Sequence, residues 1–514
     1  MITQVGVVKV SKAEYPEDPP YHPSEAYPEY PFTDAVSSRE NQVYEGVRNL
    51  FIELGFDAAN LGTLGWNPLG HIIEPGMTVV IKPNFVRSRH YDGKDPFGMI
   101  THPSVLRAIA DYCWIALRGK GRIVIADAPN FDADFDELMQ LTRLPEVVDF
   151  YALHKGPSLE IYDLRDYWGK TRLPFFETRH MPSCKRILPG DPEGNLVVNL
   201  REKSALYNHP HPEKFYGAVF DRQETIRHHS GQHQEYEVAR TVINADVVIS
   251  VPKMKVHKRS GVTLNVKGLV GICTNKNFLV HYILGAPCEG GDQYPDRFLT
   301  PKEDKVVRFE RWMYDHFLSH RSITLEMMHR AIFGVLYLKV GQSLGFKVPK
   351  PKRLYEPGNW YGNDSTWRMA TDLLKVIYFS DRQGCLHNSV QRRLFSVVDG
   401  IIGGENKGPL VPDPKPAGVL VGGENYLAVD LVTARLMGFD SQKLKVYRYL
   451  LNDEQFDYGV HGYDDIEVLC DDPTWQRCLL DRESSFLSFK PYPSWVGHVE
   501  VNHKNNGNEN GHER

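Results

Sequence analysis

The segment that decides the fold of this chain is residues 245–281, ADVVISVPKMKVHKRSGVTLNVKGLVGICTNKNFLVH. It begins as a continuous apolar run, which is typical of a parallel strand buried on both faces. The cations Lys253, Lys255 and His257 follow at once, and we expect them to lie in a turn at the end of this strand. Because ligands of open α/β sheets collect outside the carboxyl ends of the strands, a cationic cluster in this place predicts a site for an anionic small molecule.

The same segment continues with polar side chains between glycines, and we expect them to extend the site: Thr263, Asn265, Lys267, Lys276 and His281. The alternative interpretation is a solvated loop, which is the usual role of a lysine-rich turn. The apolar residues that alternate with these side chains favour a partly buried segment instead. Lysine is rarely buried without a partner, so a buried segment of this kind predicts a bound anion or internal carboxylates.

Other segments repeat the pattern of an apolar run that ends in polar residues. VVIKPN contains Lys82 and Asn84, IVIADAPN contains Asp127, and SVVDGIIGGEN contains Asp399 and Glu405. Helical patterns separate these runs, among them THPSVLRAIADY, in which we expect Thr101 to cap the helix. The order predicts an α/β protein with a parallel or mixed sheet flanked by helices and two large insertions. Parallel strand tips share one edge, so their polar groups should converge.

These residues predict proton-transfer chemistry on an anion. Neighbouring cations would lower the pKa of His257 and keep it neutral, as a general base requires, and would lower that of Lys255 in the same way. Asp127 and Asp399 would take the opposite role or hold a metal. The candidate catalytic residues are therefore His257, Lys255, Asp127 and Asp399. The candidate substrate-binding residues are Lys82, Asn84, His102, Lys253, Thr263, Asn265, Lys267, Lys276 and Glu405. If the lysines pair with Asp127 or Asp399, they are structural instead.

A metal site is a further hypothesis. His229 and His233 have the i, i+4 spacing that places two ligands on one helical face, and His281 would complete a set for a divalent metal. The identity of any cofactor stays open. The seven cysteines form no CxxC pair, so no iron–sulfur cluster is expected, and their dispersal suggests reduced thiols.

Bulk properties narrow the class of protein. The net charge of -5 and the pI near 6.5 argue against nucleic acid as a partner. No signal peptide is visible, and the apolar window at residues 331–346 is too short for a membrane span, so a cytoplasmic location is expected. The partner that the sequence predicts is a small anion, and the oligomeric state stays open.

The elements suggest a core that two insertions interrupt. We assign residues 1–131, 238–289 and 368–500 to the α/β core, with the Lys/His motif in its central part. Residues 132–237 are expected to form an irregular, partly β insertion, and residues 290–367 a mostly helical one. The tail, residues 501–514, lacks an apolar pattern and is expected to be disordered.

The chain resembles the DUF362 family, whose function is unknown. The resemblance is carried by VVIKPNFV, THPSVLRAIADY, IADAP, ADVVISVPKMKVHKRSGVTLNVKGLVGI, VVDGIIGGENKGP and GVLVGGENYLAVDLVTARLMGFD, which span most of the chain. Some relatives carry a ferredoxin-like segment with clustered cysteines, which is not found in this sequence. The two insertions are similar to those of longer members associated with surface-polysaccharide gene clusters, which implies a role in polysaccharide biosynthesis.

Taken together, the residues favour an enzyme that acts on a sugar acid, a nucleotide sugar or another phosphorylated or carboxylated metabolite. The expected reaction is proton transfer, as in an isomerase or epimerase, or metal-assisted chemistry. A non-catalytic ligand-binding or assembly protein with a cationic cleft is the alternative, because such a protein needs the same cations but no acid or base.

Overall fold

The structure is a computed structural model. It describes residues 2–169, 172–173, 176–177, 185–219, 221–301, 303–305, 308, 312, 357–481, 484 and 486–501. Most of the predicted helical insertion and nearly all of the predicted tail lie outside the described residues.

The strands, numbered along the chain, are β1 (Thr3–Lys9), β2 (Thr78–Pro83), β3 (Arg122–Asp127), β4 (Ser158–Asp163), β5 (Tyr167–Gly169), β6 (Arg172–Leu173), β7 (Phe176–Glu177), β8 (Lys185–Ile187), β9 (Asn195–Asn199), β10 (Phe215–Gly217), β11 (Glu235–Ala239), β12 (Val247–Val251), β13 (Lys253–His257), β14 (Gly261–Val262), β15 (Val280–Ile283), β16 (Arg393–Glu405), β17 (Asp413–Gly423) and β18 (Ile466–Leu469).

The α-helices are α1 (Gln42–Glu53), α2 (Pro103–Leu117), α3 (Phe135–Thr142), α4 (Leu144–Ala152), α5 (Arg222–His228), α6 (Arg240–Asn244), α7 (Leu264–Gly268), α8 (Thr366–Phe379), α9 (Tyr426–Leu436), α10 (Lys445–Leu450) and α11 (Pro473–Gln476). A 3₁₀ turn, Leu269–Ile272, continues α7 directly.

One large mixed sheet organises the fold, in the order β18-β1-β17-β16-β12-β2-β3-β4. Neighbours from β4 to β16 are parallel, and only β17 runs antiparallel to both of its neighbours on this path. The carboxyl ends of β2, β3 and β12 therefore lie side by side. The predicted α/β class with a mixed sheet flanked by helices is confirmed.

The sheet is buried on both faces because its strands are apolar at successive positions. Side chains of a strand alternate between faces, and Val79 packs with α1 and α2 while Val80 packs with α8 and α9. Val247 and Val248 in β12 divide in the same way. This two-sided burial is why the strands read as continuous apolar runs rather than alternating ones.

Two local predictions were wrong. The residues Lys253–His257 form strand β13 rather than a cationic turn: it pairs with β16 and β14, and all of its residues are buried. The helix cap of α2 is His102, whose Nδ1 accepts from Ser104 N–H, rather than Thr101. The Thr101 hydroxyl instead accepts from Asn84 N–H and donates to the Val251 carbonyl, and so ties the end of β2 to the end of β12.

Part of the segment 132–237 belongs to the main sheet, because β4 is its edge strand beside β3. The same segment also forms small antiparallel pairs, among them β9 with β11. In the part of the chain that the structure describes, no helix has the length and apolar character needed to cross a membrane.

Candidate functional site

A buried ion pair between β2 and β3 lies at the carboxyl edge of the sheet. Lys82 Nζ donates to Asp127 Oδ1 (2.8 Å), and Asp127 Oδ2 accepts from Phe85 N–H (2.7 Å). Both side chains are almost fully buried. The 3₁₀ turn after α7 crosses directly over this pair, where Gly271 has no space for a Cβ atom beside Asp127 and Lys82.

A second buried ion pair lies where β13 meets β16. Lys253 Nζ donates to Asp399 Oδ2 (3.0 Å), and neither side chain is exposed. Tyr15 OH donates to Asp399 Oδ1 (2.7 Å), and His102 N–H donates to Asp399 Oδ2 (2.9 Å). The His102 ring stacks on Tyr15 with centroids 3.9 Å apart. Lys253 and Asp399 thus satisfy each other within the protein, as the structural interpretation of these lysines requires.

Lys255 lies between these pairs and is fully buried. Its Nζ donates to Asn84 Oδ1 (2.7 Å) and to the Met99 carbonyl. Burial, followed by the charges of Lys253 and Lys267, holds the pKa of Lys255 well below its usual range. Both acceptors are uncharged. Through these two hydrogen bonds, Lys255 links β13 to the end of β2 and to the loop before α2.

Lys276 reaches the same edge from the other side of Gly271. Its Nζ donates to the carbonyls of Ala128 and Val270, each at 2.8 Å. Burial is the main cause that lowers the pKa of Lys276 to about 8. Like Lys82, Lys253 and Lys255, this lysine is held by acceptors of the protein itself.

Lys267, on α7, differs from these four lysines. Its side chain is 8 % exposed, and no described residue accepts a hydrogen bond from its Nζ or pairs with it. Burial first, and then the charges of Arg259 and Lys276, lower the pKa of Lys267 to about 7. A buried cation without a partner is unfavourable, so a bound anion would stabilise this amine.

His257 is the last residue of β13, and its neutral ring can donate a hydrogen bond. Its Nδ1 accepts from the N–H groups of Arg259 (3.0 Å) and Ser260 (3.2 Å), so the proton of the neutral ring must sit on Nε2. Burial, then the charges of Lys267 and Arg259, lower its pKa well below 6.5. The Nε2–H group has no acceptor among the described residues.

His281, in β15, has the opposite tautomer. Its Nδ1 lies 3.0 Å from the Leu279 carbonyl, which can only accept, so Nδ1 carries the proton and Nε2 presents a lone pair. Burial, then Arg259 and Lys267, lower its pKa well below 6.5. No described residue donates to His281 Nε2. We call Lys267, His257 and His281 the Lys267 group.

The remaining predicted binding residues differ in whether their polar atoms have partners in the described chain. Thr263 Oγ1 and Asn265 Nδ2 are buried without a hydrogen-bond partner in the described chain, while Asn265 Oδ1 accepts from Ser396 (2.9 Å). Glu405 lies at the far end of β16, where it pairs with Lys415 (3.3 Å) and accepts from Lys490 N–H. The Glu405 carboxylate is therefore engaged by these two partners.

The predicted metal residues are engaged separately. His229 Nε2 hydrogen-bonds the Phe278 carbonyl (2.6 Å), His233 Nδ1 hydrogen-bonds Glu235 (2.8 Å), and His281 Nδ1 hydrogen-bonds Leu279. Within the described ranges, no group of three or more His, Cys, Asp or Glu side chains could hold a metal ion. The described part of the chain thus offers no ready cation site.

Some residues that shape the site gave no signal in the sequence. Tyr15 lies in a proline-rich stretch without periodicity, far along the chain from its partners Lys253 and Asp399. Asp430, on α9, accepts from Asn265 N–H (2.8 Å) and Val266 N–H (3.0 Å) and so fixes the first turn of α7. Only Gly271 could have been noticed, because a glycine between apolar residues often marks a close approach.

The fold and the site together define an α/β protein with a buried, lysine-rich polar cluster at the carboxyl edge of its sheet. The model of a domain of unknown function, DUF362, matches residues 79–167 and 212–435, more than half of the chain. The chain belongs to the DUF362 family, as the sequence motifs indicate. No curated protein matches the chain.

Proposed function

We propose that the protein is an enzyme that binds a small carboxylated or phosphorylated molecule beside Lys267 and transfers a proton between that molecule and His281. The observation that carries the proposal is the contrast within one polar cluster. Lys82, Lys253, Lys255 and Lys276 have protein acceptors, whereas the Lys267 group has an amine, a donor and a lone pair without partners in the described chain.

The two imidazoles suit complementary roles. His281 Nε2 can accept a proton, as a general base does, because its pKa below 6.5 keeps the ring neutral at pH 7. His257 Nε2–H can polarise a substrate oxygen, since a neutral imidazole is an effective donor in a buried site. The positive charges of Arg259 and Lys258 near both rings favour an anionic substrate.

Asp127 and Asp399 have no catalytic role in this proposal. Each carboxylate already pairs with a lysine and accepts from a main-chain N–H group. A buried carboxylate held in this way serves to place the lysine with which it pairs. The substrate classes that fit are sugar acids, nucleotide sugars and other small phosphorylated or carboxylated metabolites.

Binding is tested by isothermal titration calorimetry with inorganic phosphate, glucuronate and a uridine-diphosphate sugar. We expect at least one of these anions to bind, and Lys267→Met to weaken its binding by about tenfold or more. Lys12→Met is the matched control, because Lys12 is exposed and pairs with the exposed Glu40. If none of the three anions binds the wild-type protein, the proposal fails.

Catalysis is tested by incubation of a bound anion with the protein in deuterium oxide, followed by proton NMR. An enzyme that takes a proton from carbon exchanges a substrate C–H for deuterium, whereas a binding protein does not. We expect His281→Gln to slow this exchange about 100-fold or more, and the exposed His461→Gln to leave it unchanged. Binding without exchange would favour the non-catalytic alternative.

A further inference from the structure

We propose that the amine of Lys267 forms a covalent imine with the carbonyl carbon of an aldehyde or oxo acid that bears a carboxylate or phosphate group. This inference rests on the proposed anion site and names its substrate class and the bond that forms there. Its basis is the placement of Lys267, an almost fully buried lysine without a described partner, close enough to His257 and His281 for their charges to interact.

The other buried lysines of the described chain are unsuited to this chemistry because their amines are already engaged. An amine attacks a carbonyl through its lone pair, and a lysine that donates into an ion pair or several carbonyls would first have to break those bonds. This applies to Lys82 with Asp127, Lys253 with Asp399, Lys255 with Asn84, Lys276 with Ala128 and Val270, and Lys375 with Tyr449 and the Lys203 carbonyl.

The surroundings of Lys267 also favour the nucleophilic form of the amine. A desolvated lysine beside other cations is an activated nucleophile, since these surroundings oppose its protonation. Burial and the charges of Arg259 and Lys276 bring the pKa of Lys267 to about 7, so a large fraction of the amine is neutral at physiological pH. An exposed lysine, with an ordinary pKa near 10.4, is almost wholly protonated there.

The reaction balances without a redox partner. The Lys267 nitrogen attacks the carbonyl carbon, and the C=O π electrons move to oxygen, where the His257 Nε2–H group stabilises the charge. His281 takes a proton from nitrogen and returns it to this oxygen, which gives a carbinolamine. Loss of the second N–H proton, again through His281, and cleavage of the C–O bond then form the C=N bond. The oxygen departs as water with both protons.

The experiment traps the imine on the wild-type protein. Glyoxylate, pyruvate and pyridoxal 5′-phosphate are incubated separately with the protein at pH 7 in the presence of sodium cyanoborohydride, whose hydride reduces C=N to a stable amine but leaves the free carbonyl groups of the probes largely intact. Peptide mass spectrometry then locates the adduct. We expect at least one probe to modify Lys267 at least about tenfold faster than the exposed Lys12, and excess phosphate to slow the modification of Lys267 alone.

Lys267→Arg separates this inference from the proposed function, because arginine keeps the charge but forms no imine under these conditions. We expect the variant to retain anion binding by calorimetry and to lose the adduct. If the wild-type protein binds anions but all three probes leave Lys267 unmodified, the imine is refuted and the proposed function stands. If it neither binds anions nor traps a probe at Lys267, both are refuted. The wild-type measurements remain decisive even if the variant fails to fold.

Discussion

At the scale of single residues, the polar groups of the candidate site are of two kinds. The first kind pairs within the protein and stabilises the fold, and the second kind has no partner in the described chain and could contact a ligand. Lys253 and Asp399 belong to the first kind. A buried ion pair contributes little relative to a well-packed apolar pair, but removal of one partner leaves an uncompensated charge. The Lys267 group belongs to the second kind. Burial of the Lys267 amine costs desolvation free energy, and no contact in the described chain compensates for it.

Lys253→Met tests the structural role of the first kind. The substitution leaves the fully buried Asp399 carboxylate with the Tyr15 hydroxyl and main-chain donors but without its cation. We expect the free energy of unfolding in urea to fall by about 3–5 kcal/mol. Lys12→Met, at a side chain that is 63 % exposed, should change it by less than about 0.5 kcal/mol. A loss below about 1 kcal/mol for Lys253→Met would contradict this role.

Lys267→Met tests the second kind through the pH dependence of stability. The pKa of Lys267 is about 7 in the folded protein, whereas an unperturbed lysine has a pKa near 10.4, so between these values unfolding takes up a proton. The contribution of Lys267 to stability therefore rises with pH across this window, with a slope of up to about 1.4 kcal/mol per pH unit, and is most unfavourable below pH 7.

We expect Lys267→Met to be at least as stable as the wild-type protein below pH 7, and this advantage to disappear towards pH 10. Urea unfolding of both proteins at several pH values measures the difference. A difference in stability that is constant between pH 6.5 and 9.5 would show that Lys267 carries an ordinary pKa.

At the scale of elements, the sequence predicted the strands that end at the site but not the way in which polar segments continue them. VVIKPN and IVIADAP are continuous apolar runs, so β2, β3 and the pairing of Lys82 with Asp127 could be foreseen from parallel order. The cationic run at residues 253–257 looked like a turn because buried lysines are rare. It is a strand, since Asp399, Asn84 and main-chain carbonyls from distant parts of the chain satisfy its side chains.

The 3₁₀ turn after α7 offers a test of how closely elements pack at the site. A Cβ atom at residue 271 would overlap Asp127 Oδ1 and Lys82 Nζ, both of which are held by other contacts. We therefore expect Gly271→Ala to lower the free energy of unfolding by about 1–3 kcal/mol and to weaken anion binding by displacing Lys267. Thermal unfolding and calorimetry measure the two effects.

Gly65→Ala is the matched control, because the nearest atom to a Cβ at that position is Thr63 Oγ1 at 3.6 Å, an ordinary contact. We expect this variant to keep both its stability and its anion binding. Equal effects of the two substitutions would show that the close approach of Gly271 to the Lys82–Asp127 pair is unimportant.

At the scale of the whole molecule, the ends of the chain meet in the same sheet. Strand β1 lies between β17 and β18, so residues near both termini complete the sheet that the central motif begins. The order of these strands could not be foreseen from the sequence, since pairing between distant segments leaves no local pattern. The open tautomers of His257 and His281 were equally hidden, because they depend on which carbonyl or N–H group each ring meets.

The order of strands predicts a gradient of amide protection across the sheet. Strands β2 and β12 are flanked on both sides and buried on both faces, whereas β4 and β18 are its edges. Amides of central strands exchange mainly through global unfolding, while edge strands also open locally. In hydrogen–deuterium exchange mass spectrometry, we expect peptides over residues 78–83 and 247–251 to exchange at least about tenfold more slowly than those over 158–163 and 466–469. Equal rates in all four segments would contradict the strand order.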